Sequence, residues 1–452
     1  MNMAKLNSLN VSERLAAVRE LGESVKQGVT PTDEVNNHVH TIYSFSPYTP
    51  VMAAVKAAQA GLQAVGIMDH DSVSGCAEML EACKAINIAS TAGFEMRVDM
   101  TGTAVEGRKT NNPDTLNNSY MAVHGIPATQ FGVAREFLRP MNEARIERDR
   151  QQVDRLNGIL GEVGMAPLDF DRDVAAISQA AAGGSITERH ILYALSLKLM
   201  EAYGKGMALI RFVREKLDTE VPVKLESVLL DQANPHYAYD LLGLFKASLV
   251  PRMFIQPDGR ECIPIMKAVR FANDIGAIPA YAYLGDVGES PTGDKKAEKF
   301  EDDYLDALVP ELKRIGFKAI TYMPPRNTLP QLLRLQKLCA ENELMEISGV
   351  DINSSRQTFS CPIIMTPPFR HLTEATWALI AHEKLATVNP DLALFSPRNP
   401  LKALPLAERL VRYAAVGRKI DNRHPERINQ ELAEWGGNDY SATQRSARNR
   451  GS

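Results

Sequence analysis

The chain has 452 residues, 44% of them hydrophobic and 23% charged, with Lys+Arg 51 against Asp+Glu 55 for a formal net charge of −4. Such a composition supports a sizeable core, and the near balance of charge leaves no global basic field to draw the protein onto long nucleic acid or a membrane. Five cysteines (Cys76, Cys83, Cys262, Cys339, Cys361) form no CxxC pair, which excludes a disulfide framework and a thiolate zinc module. The opening MNMAKLNSLNVSERLAAVRE lacks the apolar stretch of a signal peptide, and no uncharged run reaches the ~18 residues of a membrane span, so a cytoplasmic location is expected.

Residues 10–27 read as an amphipathic helix, with Leu15, Val18 and Leu21 at helical spacing. From Val35 a cycle begins in which a short apolar stretch ends in polar residues and a helical run follows. NNHVHT precedes PVMAAVKAAQAG; LQAVGIM runs into Asp69-His70-Asp71 and then GCAEMLEACKAI; IASTAGF leads to Glu95, and YMAVH ends on His124. After a long interval AIPAYAY, FKAITYM and LMEISGVD resume the alternation, with helical runs between them. Short strands alternating with helices predict parallel βα units, whose active sites gather at the strands' C-terminal ends.

The segment 131–264 breaks the rhythm with helical stretches at 142–161, 170–181, 187–201, 207–217 and 236–247, and is expected to be a mostly helical insertion. The expected organisation is an N-terminal helix over 1–32, a barrel over 33–130 and 265–370, and C-terminal helices over 371–420. A flexible, Arg- and Asn-rich tail is expected over 421–452.

The chemistry-bearing residues sit where strands should end. On an extended strand residues i and i+2 share a side, so His38 and His40 can reach one ion. His70 between two aspartates, Glu95 among apolar neighbours, His124 closing an apolar run, and Asp351 with Asn353 add donors from four further strand ends. Oxygen and nitrogen ligands without thiolates suit Zn, Mn or Fe, and several carboxylates permit bridging between two ions. His236, His371, His382 and His424 fall outside this pattern and read as structural, as do Cys76 and Cys83. There is no Gly-rich loop with Walker spacing.

The order of NNHVHTIYSFSPYTP, GIMDHDSVSG, GFEM, YMAVH and the late DIN resembles the PHP (polymerase and histidinol phosphatase) family over roughly 33–130 and 265–365. That resemblance implies a distorted (β/α)7 barrel carrying up to three metal ions and hydrolysing phosphoesters. It implies a first ion on His38, His40, Glu95 and Asp351, and a second on Glu95 and His124, with Tyr283 standing where the family has a histidine. A third ion would have only His70, because Phe45 or Ser46 and Asn353 occupy the family's other ligand positions. One tightly held ion and a weaker second are therefore expected. Asp71 and His190 are candidates to orient water or substrate. Arg97, Arg108, Arg189 and Arg326 are candidates to bind the anion; an Arg-His element like Arg189-His190 occurs in the insertion of some relatives. The expected function is a metal-dependent phosphoester hydrolase acting on a small phosphorylated substrate. A non-catalytic binding module and an amidohydrolase-like enzyme are the competing readings.

Overall fold

The computed structural model describes residues 3–112, 115–286 and 300–428; the expected tail beyond 428 lies outside the described residues. Eight strands are present among them: β1 (Val35–Val39), β2 (Ala64–His70), β3 (Ala89–Asp99), β4 (Asn118–His124), β5 (Ile263–Pro264), β6 (Ile278–Ala282), β7 (Ala319–Tyr322) and β8 (Met345–Ser348). They pair in the order β1-β2-β3-β4-β6-β7-β8, and β5 lies off this path against the end of β3. The seven strands on the path curl into a nearly closed α/β barrel of the kind expected, with a helical segment between β4 and β5.

One expectation is corrected. β4 runs antiparallel to both β3 and β6, whereas the alternation predicted parallel strands throughout. The reason is local: among the described residues no helix lies between β3 and β4, and without a crossover the chain can only turn back on itself.

Closure depends on polar atoms in a buried strand. All five residues of β1 are buried although its sequence is VNNHV. The Asn36 amide donates to the Val350 carbonyl at 3.0 Å, and the Asn37 amide to the Ser348 carbonyl at 2.8 Å. These side chains knit β1 to β8 where a backbone ladder is lacking. Beyond them, His40 N–H donates to Ile352 O at 2.9 Å and Ile352 N–H to His38 O at 3.1 Å. The seam is tight: a Cβ on Gly349 would lie 2.7 Å from the His38 nitrogen.

Helices cover the barrel in the usual way, apolar face inward. The Pro50–Gln59 helix starts on Thr49, whose hydroxyl accepts the Met52 N–H at 3.0 Å, with Pro50 at its first position. The long helix Phe131–Glu162 begins well before the expected residue 142 and runs through Pro140. Both Pro140 and Glu136, whose carbonyl the proline leaves without an N–H, are exposed, so water can replace the missing bond. The insertion has its own apolar core, from Val153 to Met253, and Phe45 of the barrel inserts into it. A helix at Val223–Leu230 escaped the sequence pattern because it is short and buries only Leu229. Among the described residues no helix is long and apolar enough to cross a membrane.

Candidate metal centre

Strand pleating and parallel register bring the predicted donors together. His38 is in β1 with His40 just beyond it, and β2 and β3 pair so that His70 lies beside Glu95. The His38 and His40 Nε2 atoms stand 3.2 Å apart. Glu95 reaches three imidazoles: His70 Nδ1 at 3.0 Å, His40 Nε2 at 3.3 Å and His38 Nε2 at 3.6 Å. Asp351, in the loop after β8, places Oδ1 3.2 Å from His40 Nε2. Ligand atoms of His38, His40 and Asp351 lie within 4.8 Å of one another, and so do those of His40, His70 and Glu95.

The protonation pattern fits a cation-binding group. Burial works against a charged His40, but Asp351 and Glu95 outweigh it and lift its pKa to about 10. Burial would raise Asp351 and Glu95, yet the neighbouring histidines hold both below the usual carboxylate range. Burial lowers His70 to about 3 and, with His38 nearby, His124 to about 3, leaving both neutral with lone pairs to offer. His124 is 1% exposed and its Nε2 is buried with no hydrogen-bond partner. An orphaned, neutral imidazole nitrogen beside such a cluster is a donor set for a transition-metal ion.

Asp69 supports this group in a way the sequence reading missed. Its buried carboxylate accepts from Thr41 N–H at 2.6 Å, Thr41 Oγ1 at 2.6 Å and Ser44 Oγ at 2.7 Å. Ser44 Oγ in turn lies 3.2 Å from His40 Nδ1, so Asp69 fixes the ring through the turn that follows it. The signal was available, since Thr41 and Ser44 directly follow the paired histidines.

The other predicted residues divide. Asp71 is buried and its carboxylate lies 2.6 Å from Arg145 Nη2, outside the imidazole–carboxylate group. His190 caps its own helix, accepting the Thr187 N–H at Nδ1 over 3.1 Å, and its ring packs edge-on against Phe45. Arg97 is taken up by Tyr120 Oη at 2.9 Å and Glu188 at 3.2 Å. Arg108 is exposed, with its guanidinium 4.7 Å from the Tyr304 ring centroid, and Arg326 is half-buried in the loop after β7. Arg189 does reach the group: its Nη1 donates to Asn353 Oδ1 at 2.7 Å, and Asn353 Nδ2 donates to Asp351 Oδ1 at 2.7 Å. Tyr283 turns its hydroxyl to Asp302 at 2.5 Å, and Phe45 is locked in the insertion's core. His236, His371, His382 and His424 all have partners away from the cluster.

A buried charge network next to the cluster was also not foreseen. Arg145 and Arg148 of the long helix both bind Glu261, at 2.9 and 2.6 Å, and Arg148 binds Glu188 at 2.8 Å. The sequence signal was an inward helix stripe of Arg145, Arg148, Asp149 and Gln152, polar where an apolar stripe is usual.

Residues 36–207 match the PHP domain family. Over that span the chain resembles a PHP domain. The matched span includes His38, His40, His70, Glu95 and His124, while Asp351 and Asn353 lie beyond it. Among solved structures, a candidate metal-dependent phosphoesterase from Bifidobacterium adolescentis is 19% identical with a TM-score of 0.48, covering 73% of this chain and 92% of that one. An amidohydrolase from Chromobacterium violaceum with bound sulfate and no metal is 16% identical with a TM-score of 0.47, covering 75% of this chain and 96% of that one. No curated protein matches.

Proposed function

We propose that this PHP domain is a metal-dependent hydrolase of small phosphoesters. The observation that carries the reading is the convergence of three imidazoles and two carboxylates at adjoining strand ends of such a domain. His38, His40, Glu95 and Asp351 would hold a first ion. Glu95 and the orphaned His124 nitrogen would serve a second, more weakly held one. A divalent ion bound there supplies positive charge for a phosphoryl group and acidifies water near neutral pH. The chain's own groups do the rest. His70, kept neutral by burial and 3.0 Å from Glu95, would offer a further imidazole beside the ion. Arg189, half-buried at the rim, offers a planar guanidinium to a phosphate. Asp69, through Ser44, keeps the His40 ring from turning.

The five cysteines are buried and unpaired, which supports a reducing compartment. The test is elemental analysis of the purified protein, followed by a panel of phosphomonoesters, phosphodiesters and amides with added Mn, Zn and Mg. Metal-dependent phosphate release is expected. Amide cleavage without phosphate release would transfer the site to amidohydrolase chemistry, and bound metal with no turnover would mark a binding module.

A further inference from the structure

The insertion touches the barrel's ligand loop, and it does so through a continuous chain of polar contacts. Glu188 and Arg189 are the first two residues of the helix Glu188–Tyr203 and they face opposite partners. Glu188 is gripped from two sides, by Arg97 of β3 at 3.2 Å and by Arg148 of the long helix at 2.8 Å. Arg97 is fixed by Tyr120, and Arg148 by Glu261, so the grip is itself anchored in both the barrel and the insertion. From the next residue two hydrogen bonds of 2.7 Å each, Arg189 Nη1 to Asn353 Oδ1 and Asn353 Nδ2 to Asp351 Oδ1, lead to the carboxylate oxygen that faces His40. Asn353 is also fixed through its backbone N–H, which donates to Gln357 Oε1 at 2.7 Å.

We propose that Glu188 and Arg189 are positioning residues through which the insertion sets the orientation of the Asp351 carboxylate, and with it the affinity of the barrel's metal centre. The inference rests on the metal-binding reading above, but not on any activity. The Arg97–Arg148 pair holding Glu188 leaves the start of the helix no freedom to slide. The planar guanidinium of Arg189 then presents its N–H to Asn353 in one direction only. Asn353 has one amide oxygen and one amide NH2, so accepting from Arg189 commits its donor to Asp351. Groups that orient a ligand in this way typically change metal affinity 10–100-fold.

The experiment is a double-mutant cycle read by Mn2+ calorimetry on the metal-stripped full chain. Arg189→Lys keeps the charge and loses the fixed fork, and Glu188→Gln breaks the grip. Glu188→Gln is expected to weaken Mn2+ binding about tenfold in the native background, at the low end of that range, and less than threefold beside Arg189→Lys. An equal loss in both backgrounds would mean that only the charge of Glu188 matters and would overturn the proposal, as would no loss in the native background. Native protein that binds no Mn2+ would overturn the metal reading itself, an outcome distinct from either. Should Glu188→Gln fail to fold, the cycle of Arg189→Lys with Asn353→Ala leaves the grip intact. Losses that fall short of additive are expected there, and additive losses would refute the relay.

Discussion

Replacing Glu95 by Gln keeps the shape of the side chain and removes the one charge that faces three imidazoles at 3.0–3.6 Å. Unit charges 4 Å apart interact by about 4 kcal/mol at an effective dielectric of ~20. A divalent ion doubles the product, while the proton that His40 holds in the metal-free protein offsets part of it. At ~1.4 kcal/mol per tenfold, Mn2+ affinity should fall at least ~1,000-fold. The same argument sets the proton count. With the His40 pKa at about 10, native protein at pH 7.5 must release close to one proton from His40 as an ion binds, so affinity should rise with pH up to that value. Calorimetry in two buffers of different ionisation enthalpy measures both quantities, and thermal unfolding checks that the variant is folded. A folded variant binding within tenfold of native, or native binding that releases no proton, would refute the assignment of Glu95 and His40 to the ion.

Asp69→Ala should strand the Thr41 N–H, which cannot turn away, at a cost of about 1–3 kcal/mol, and lower metal affinity ~10–100-fold by freeing Ser44 and the His40 ring; unfolding curves and metal titration check the two parts. Gly349→Ala puts a methyl 2.7 Å from the His38 backbone nitrogen, which cannot yield as a flexible side chain would, so loss of both stability and metal binding is expected. Native affinity in that variant would show the β1–β8 seam to be looser than described. Burial lifts the Glu301 carboxyl from 4.5 to about 7, so between those pH values the folded state holds more protons and stability falls as pH rises. Glu301→Gln removes this dependence, and its stability relative to native should shift upward by about 3 kcal/mol between pH 4.5 and 8 in urea unfolding, whereas a pH-independent difference would argue against it.

The residues of the candidate centre could be picked out because their pattern is local: paired histidines at i and i+2, and acidic or basic residues closing apolar runs. Strand direction could not, because β4 resembles its neighbours in composition and only the missing crossover helix reverses it. Phe45 illustrates a second limit. By position it stands near the metal loop, but its apolar ring is drawn into a core built by residues more than a hundred positions later. The Arg145–Glu261 network was hidden for the same reason, since each charge looks like a solvated surface residue until the partner helix is in place.

The closing seam has a consequence for how the molecule is assembled and opened. His40 and Asp351 belong to one group, yet most of the chain separates them in sequence, and every contact across the seam is equally long-range. Such contacts are the last to repay the entropy of closing their loop. Until the segment after β8 has joined, the cluster lacks one carboxylate and β1 is a free edge. An ion held by both sides acts as a staple across that edge, so occupancy of the centre and protection of the β1 amides from hydrogen exchange should rise together. The ion would thereby report to the rest of the barrel that the chain is complete through Asp351.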